Sequence, residues 1–298
     1  MRSWACCWTS HRGKLGAVII ASVFLLWPLQ AGAQDAFDWR DINGADFTTP
    51  IRYQGSVGSC WAFAAVGALE AKLEITADDP SWNPNYSEQH LICDGTCGSA
   101  NGGWEYRALG FFESTGVVTE QELLYRASDT SPDWPLAPGW ENRVAKIEHY
   151  AKVSTDSIDQ IKQALTDCGP LTVAIDTQCD WYWPETPVGA PGGSDPLGEA
   201  VSFATGAEDM TDGINHALVV VGYQDDPGLA EGGYWILKNS WGPGWGHSGY
   251  GYTLYGVLQS HNRVYAIDGA AFVMPEPATG MLLAFASWVA MGRRRRRL

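Results

Sequence analysis

The chain has 298 residues, 45% of them hydrophobic, with 34 Asp and Glu against 19 Lys and Arg for a formal net charge of −15. That is apolar material enough for one large domain or two small ones. An acidic balance of this size sets nucleic acid and anionic membrane surfaces aside as partners of the folded body.

Both ends read as processing segments. Arg2, Arg12 and Lys14 precede an apolar run over 15–29, and Ala31-Gly32-Ala33 has the small-x-small form cut by signal peptidase. This pattern predicts a secretory signal over 1–33, an exported protein and a mature chain beginning at Gln34. The last 25 residues, 274–298, join Met274-Pro275-Glu276-Pro277 to an apolar run over 280–291 and to five arginines, Arg293 to Arg297. Such a basic stop fixes that end in the cytoplasm. The tripartite tail resembles the PEP-CTERM sorting signal of Gram-negative bacteria. That likeness implies an exosortase-type sorting enzyme as partner, membrane attachment through the C-terminal segment before processing, and a final place in the envelope, at the surface or outside the cell. The two ends hold eight of the basic residues and one of the acidic ones, so the body over 34–273 keeps 11 basic and 33 acidic, a net of −22. Cys6 and Cys7 leave with the signal. Cys60, Cys93, Cys97, Cys168 and Cys179 remain, an odd number that predicts one free thiol and up to two disulfides in an oxidising compartment.

In chain order, Gln54-Gly55-Ser56-Val57-Gly58-Ser59-Cys60-Trp61 is a Gly-rich loop that runs into helical periodicity at Phe63, Val66, Leu69 and Leu73. Cys60 falls in the first turn, where unpaired N–H groups and the helix dipole favour a thiolate. Ser87 is an N-cap candidate for a short helix through Leu91 and Ile92. Asn101-Gly102-Gly103-Trp104 precedes a helical piece over 105–115. A strand is expected over 147–153, a helix over 157–167 with Ile158, Ile161 and Leu165 on one face, and a strand over 171–175. The Gly-, Pro- and Trp-rich stretch 179–213 reads as a long loop that forms one wall of a cleft. Asn215-His216-Ala217-Leu218-Val219-Val220-Val221-Gly222-Tyr223 is a β-branched strand with a histidine at its start. Tyr234-Trp235-Ile236-Leu237-Lys238-Asn239-Ser240-Trp241-Gly242 follows, then Gly244-Trp245-Gly246.

Together these segments resemble the papain-like cysteine peptidases. The local signature of that family around its cysteine is matched by Gly58-Ser59-Cys60-Trp61. Phe37-Asp38-Trp39-Arg40, Asn101-Gly102-Gly103-Trp104, Asn215-His216-Ala217 and Asn239-Ser240-Trp241-Gly242 match its other blocks, over about residues 37–272. The resemblance implies an α+β, papain-like fold: a helical half over about 56–145 and a β-barrel-like half over about 146–272 plus the N-terminal strand, with the active site in the cleft between. It implies Cys60 as nucleophile, His216 as its ion-pair partner, Asn239 as the residue that orients the imidazole, and Gln54 as oxyanion donor. Substrate binding would fall to Gly58, Gly102, Gly103, Trp104, Asn215 and Trp241, with Trp241 shielding the Asn239–His216 hydrogen bond. No cofactor or metal is implied, and the substrates would be proteins or peptides. Two departures stand out. Val57 and Ala100 occupy positions bridged by cysteines in many relatives, which leaves Cys93 and Cys97 as a substitute pair, and no long pro-segment separates the signal from Asp38. A second reading keeps the peptidase fold without turnover, as a surface or exopolysaccharide-matrix binding protein whose many tryptophans stack on sugars.

Overall fold

The computed structural model describes residues 36–177, 213–229 and 231–274. The expected signal, all but the first residue of the sorting tail and all but the last residue of the 179–213 loop lie outside the described residues. The elements are β1 (Ala36–Asp38), α1 (Cys60–Ala77), α2 (Glu88–Asp94), β2 (Gly98–Ser99), β3 (Gly102–Gly103), α3 (Glu105–Ser114), β4 (Ala145–Ile147), β5 (Tyr150–Lys152), α4 (Ile158–Cys168), β6 (Leu171–Ile175), β7 (His216–Asp225), β8 (Gly233–Lys238), β9 (Tyr250–Leu254), α5 (Tyr255–His261), β10 (Val264–Ile267) and β11 (Ala271–Val273). Helices dominate the first part and antiparallel strands the second, which is the α+β layout expected.

A seven-stranded sheet in the order β5-β10-β6-β7-β8-β9, with β1 added to β7, forms the centre. Its two faces are sorted by alternation along the strands. Ala217, Val219, Val221, Tyr234 and Ile236 point toward α1 and the cluster it forms with α2 and α3, whereas Leu218, Val220, Tyr223, Trp235 and Leu237 point toward the cluster containing α4 and α5. Tyr223 shares a face with Val220 because the β7–β8 register shifts between Val220 and Gly222, and such a bulge flips the phase of the residues beyond it. The chain start is fixed to the second cluster, since the Trp39 indole donates to the Leu165 carbonyl at 2.9 Å.

The helix α1 is buried on all sides from Trp61 to Glu74. Small residues at Ala62, Ala64, Ala65, Gly67, Ala68 and Ala71 let the sheet, α2 and α3 approach it together. Several of its buried polar groups are satisfied across the molecule, though Glu74 Oε2 has no hydrogen-bond partner among the described residues. Thr49 donates to Glu70 at 2.5 Å, the Tyr86 N–H donates to the same carboxylate at 2.9 Å, and Lys72 donates to the Cys168 carbonyl at 2.6 Å. The cap expected at Ser87 forms, accepting from His90 N–H at 3.1 Å, and Ser157, expected as the first residue of α4, instead caps it by accepting from Gln160 N–H at 3.2 Å.

Two expectations are corrected. The strand over 147–153 is two strands in different sheets: β4 pairs with β11 and β5 with β10, and the chain changes partner at Glu148-His149. Cys93 and Cys97 do not bridge. The Cys93 sulfur accepts from the Gln89 amide at 3.2 Å, while Cys97 is buried in the α1 cluster. No helix among the described residues is long and apolar enough to cross a membrane.

Candidate active site

The loop from Gln54 to Cys60 is held from three directions. The Gly58 N–H donates to the Ala100 carbonyl at 2.6 Å, which joins by a backbone bond the two segments where Val57 and Ala100 stand in place of cysteines. A Cβ on Gly58 would lie 2.9 Å from the Asn101 carbonyl carbon, so the approach admits only glycine. The Gln54 side chain donates to the Val57 carbonyl at 2.7 Å and accepts from the Ser240 hydroxyl at 2.6 Å. One amide hydrogen of Gln54 is thereby used, and the second makes no bond among the described residues. The Tyr125 hydroxyl donates to the Gln54 carbonyl at 2.7 Å and takes the hydroxyl hydrogen of Ser59 at 2.7 Å.

Cys60 is the first residue of α1, as the periodicity predicts. Across from it, His216 opens β7, paired in register with Ile175, and is only 5% exposed. Its Nε2 lies 2.8 Å from Asn239 Oδ1. The same oxygen takes the Ser240 N–H at 2.7 Å. With two donors aimed at Oδ1, Nε2 must carry the hydrogen, and Nδ1 is the basic nitrogen. Trp241 stacks on the His216 ring at 4.5 Å between centroids and 26° between planes, with Trp245 edge-on against Trp241 at 5.2 Å. Asn239 follows Lys238, whose ammonium donates to the Thr49 carbonyl at 2.5 Å and to its hydroxyl at 3.0 Å. This anchors the end of β8 to the segment that precedes the nucleophile loop.

Cys60 and His216 line one cavity of about 230 Å³, together with Gly58, Gly102, Gly103, Trp104, Glu105, Ala174, Ile214, Asn215 and Ala217. Gln54, Asn239 and Trp241 do not line it, although Asn239 and Trp241 contact His216. The two glycines of β3 have different reasons. A Cβ on Gly103 would meet the Trp61 ring at 2.5 Å, whereas Gly102 has a φ of +146° and open space around it. Both line the cavity, Gly102 exposed and Gly103 half-buried. The side chain of Asn215 is committed elsewhere, donating to Asp176 at 3.0 Å and accepting from Thr177 N–H at 2.9 Å.

Burial pushes the Cys60 thiol up, while the backbone N–H groups of Ala217, Trp61 and Cys60 itself favour the thiolate and the Glu105 carboxylate opposes it. Burial drives the His216 imidazole down to about 4 against the pull of its Asn239 hydrogen bond. Neither charge is therefore stable alone in this cavity. An ion pair, in which each charge offsets the other, is what such burial requires if either group is to ionise.

Sequence reasoning missed Tyr125 and Glu105. Nothing in the pattern around Tyr125 marks it, and Glu105 reads as an ordinary acidic residue in the first turn of a helix.

The family model described as papain family cysteine protease matches residues 33–264. Cathepsin S of Bos taurus is 31% identical over 227 residues, covering 72% of this chain and 58% of the relative. Cysteine proteinase 15A of Pisum sativum is 35% identical over 229 residues, covering 72% and 56%. The chain spans a little over half the length of these curated relatives. Among solved structures, digestive procathepsin L 3 of Tenebrio molitor larval midgut superposes with a TM-score of 0.57 at 24% identity, covering 80% of this chain and 70% of that one. Bromelain from Ananas comosus, in complex with the E64 inhibitor, gives 0.55 at 24% identity, covering 82% and 100%.

Proposed function

The chain belongs to the papain family of cysteine proteases, and on that footing we propose that it hydrolyses peptide bonds with Cys60 as nucleophile. The observation that carries the reading is the shared cavity of Cys60 and His216, with the imidazole held by Asn239. In this mechanism the Cys60 sulfur gives its proton to His216 Nδ1 and attacks the scissile carbonyl. The Cys60 N–H and the uncommitted amide hydrogen of Gln54 hold the resulting oxyanion, each such donor being worth about 2.7–4 kcal/mol. His216 then passes its proton to the leaving amine, which departs and leaves a thioester. Water, deprotonated by His216, attacks that thioester and releases the acid and the free thiol. Asn239 keeps Nδ1 turned to its task, and Trp241 covers the bond that does so. Gly102 offers its backbone to an extended substrate.

The functional unit in this proposal is 34–273, a helical half over about 56–145 and a strand-rich half over about 146–272. Residues 1–33 export it. Residues 274–298 are read by an exosortase-type enzyme at the membrane of a Gram-negative cell, which places the peptidase at the envelope, at the surface or outside.

Cleavage of casein or a fluorogenic peptide by the purified protein, abolished in Cys60→Ala, tests the reading. An epoxysuccinyl inhibitor should modify Cys60 stoichiometrically at neutral pH and fail on His216→Ala, because the thiol then has no group to take its proton. Equal labelling of both proteins would refute the shared ionisation.

A further inference from the structure

Glu105 is the charged group in the cavity for which the proposed chemistry has no use. It opens α3 directly behind Gly103 and Trp104, is 1% exposed, and its Oε1 is buried without a hydrogen-bond partner. Burial pushes the carboxyl up. Its own backbone N–H favours the ionised form, and so does the positive charge of Arg263 acting through space. Arg263 itself lies over the Trp104 ring, 4.3 Å from its centroid. Folded proteins seldom bury a carboxylate oxygen unpaired, and an exception inside a cavity points to a ligand that supplies the partner.

The remaining walls narrow the kind of ligand. Trp104, Ala174, Ile214 and Ala217 are apolar, and they line the cavity of about 230 Å³ together with Glu105 and Cys60. A long aliphatic stem that ends in a cation fits such a space, its methylenes on the apolar wall and its head on the carboxylate. The formal net charge of −15 attracts the same class of substrate from a distance. We propose that Glu105 is a specificity-determining residue that selects peptides carrying lysine or arginine in this cavity during attack by Cys60. The proposal rests on the peptidase reading and names its substrate class.

Two thiol-reactive peptidyl chloromethyl ketones, identical but for lysine or norleucine and varied in turn at the three positions before the reactive carbon, test it. The rate of Cys60 alkylation is followed by intact mass. At one position the lysine probe should react about 10- to 100-fold faster, and should keep most of that advantage in about 1 M salt, where long-range attraction is screened. Glu105→Gln and Glu105→Ala should bring the ratio to about one. A wild-type ratio near one at every position, a ratio lost in salt, or a ratio that persists in Glu105→Gln overturns the proposal, and the wild-type ratio decides even where a variant fails to fold. Internally quenched peptides with the same lysine–norleucine pairs separate the two readings. Selective labelling with no cleavage would sink the peptidase and leave this site standing. Cleavage without preference would do the reverse.

Discussion

Tyr125 shows how one side chain far along the chain controls the nucleophile loop. Its hydroxyl joins the Gln54 carbonyl to the Ser59 hydroxyl, and its ring meets Phe63 edge-on at 4.9 Å. Tyr125→Phe should keep the ring contact and lose both bonds, lowering stability by about 1–2 kcal/mol in urea unfolding. It should also slow inhibitor labelling of Cys60, because the loop that carries the Gln54 donor then loses both bonds to Tyr125. An unchanged labelling rate would assign the tyrosine to packing alone. This residue marks where the sequence stops being informative. The motif blocks name cysteine, histidine, asparagine and glutamine because each needs a particular chemistry. A clamp requires only a hydroxyl at the right place, and 66 residues separate Ser59 from Tyr125.

At the level of elements, the start of α1 at Cys60, the whole of β6 and the start of β7 at His216 follow from periodicity and turn residues alone. The split of 147–153 into β4 and β5 does not, since it depends on which strand each half pairs with, and partners are not written in a local pattern. The strands and helix after Tyr250 are equally silent: β9 reads Tyr-Gly-Tyr-Thr-Leu, with no clean alternation of apolar and polar. Glycines separate the two kinds of constraint. In the middle of α1, a Cβ on Gly67 would touch only Val219 Cγ2, at 3.4 Å. Gly67→Ala should therefore raise stability by about 0.5–1 kcal/mol through helix propensity. Gly103→Ala should instead destabilise and distort the β2–β3 pair, because the Trp61 ring occupies that space. Thermal unfolding of both variants checks the contrast, and a stabilising Gly103→Ala would mean that the hairpin does not rest on Trp61.

For the molecule as a whole, the buried titratable groups respond to pH in opposing directions. His90 is fully buried among Phe111, Trp134 and Trp140, accepts from the Val118 N–H at 3.3 Å and has an unpartnered Nε2. Burial drives its imidazole from the usual 6.5 down to about 4, against the pull of Asp94. A group depressed in this way contributes its full stability above about pH 6.5 and loses it as pH falls through 4, a difference of about 3 kcal/mol. Glu74 works in the opposite sense, since burial raises it to about 7, so the comparison must be made against a variant. His90→Asn keeps an acceptor for Val118 but cannot titrate. Urea unfolding at pH 7 and pH 4 should show a smaller loss in His90→Asn than in the natural chain, and equal losses would place the acid sensitivity elsewhere. The cavity that Cys60 on α1 shares with His216 on β7 has a consequence of its own. Reactivity becomes a report on assembly: a molecule whose first helix has formed but not yet seated on the sheet carries a dormant thiol. Under the proposed reading, a copy whose first helix has yet to seat on the sheet would be inert toward its neighbours.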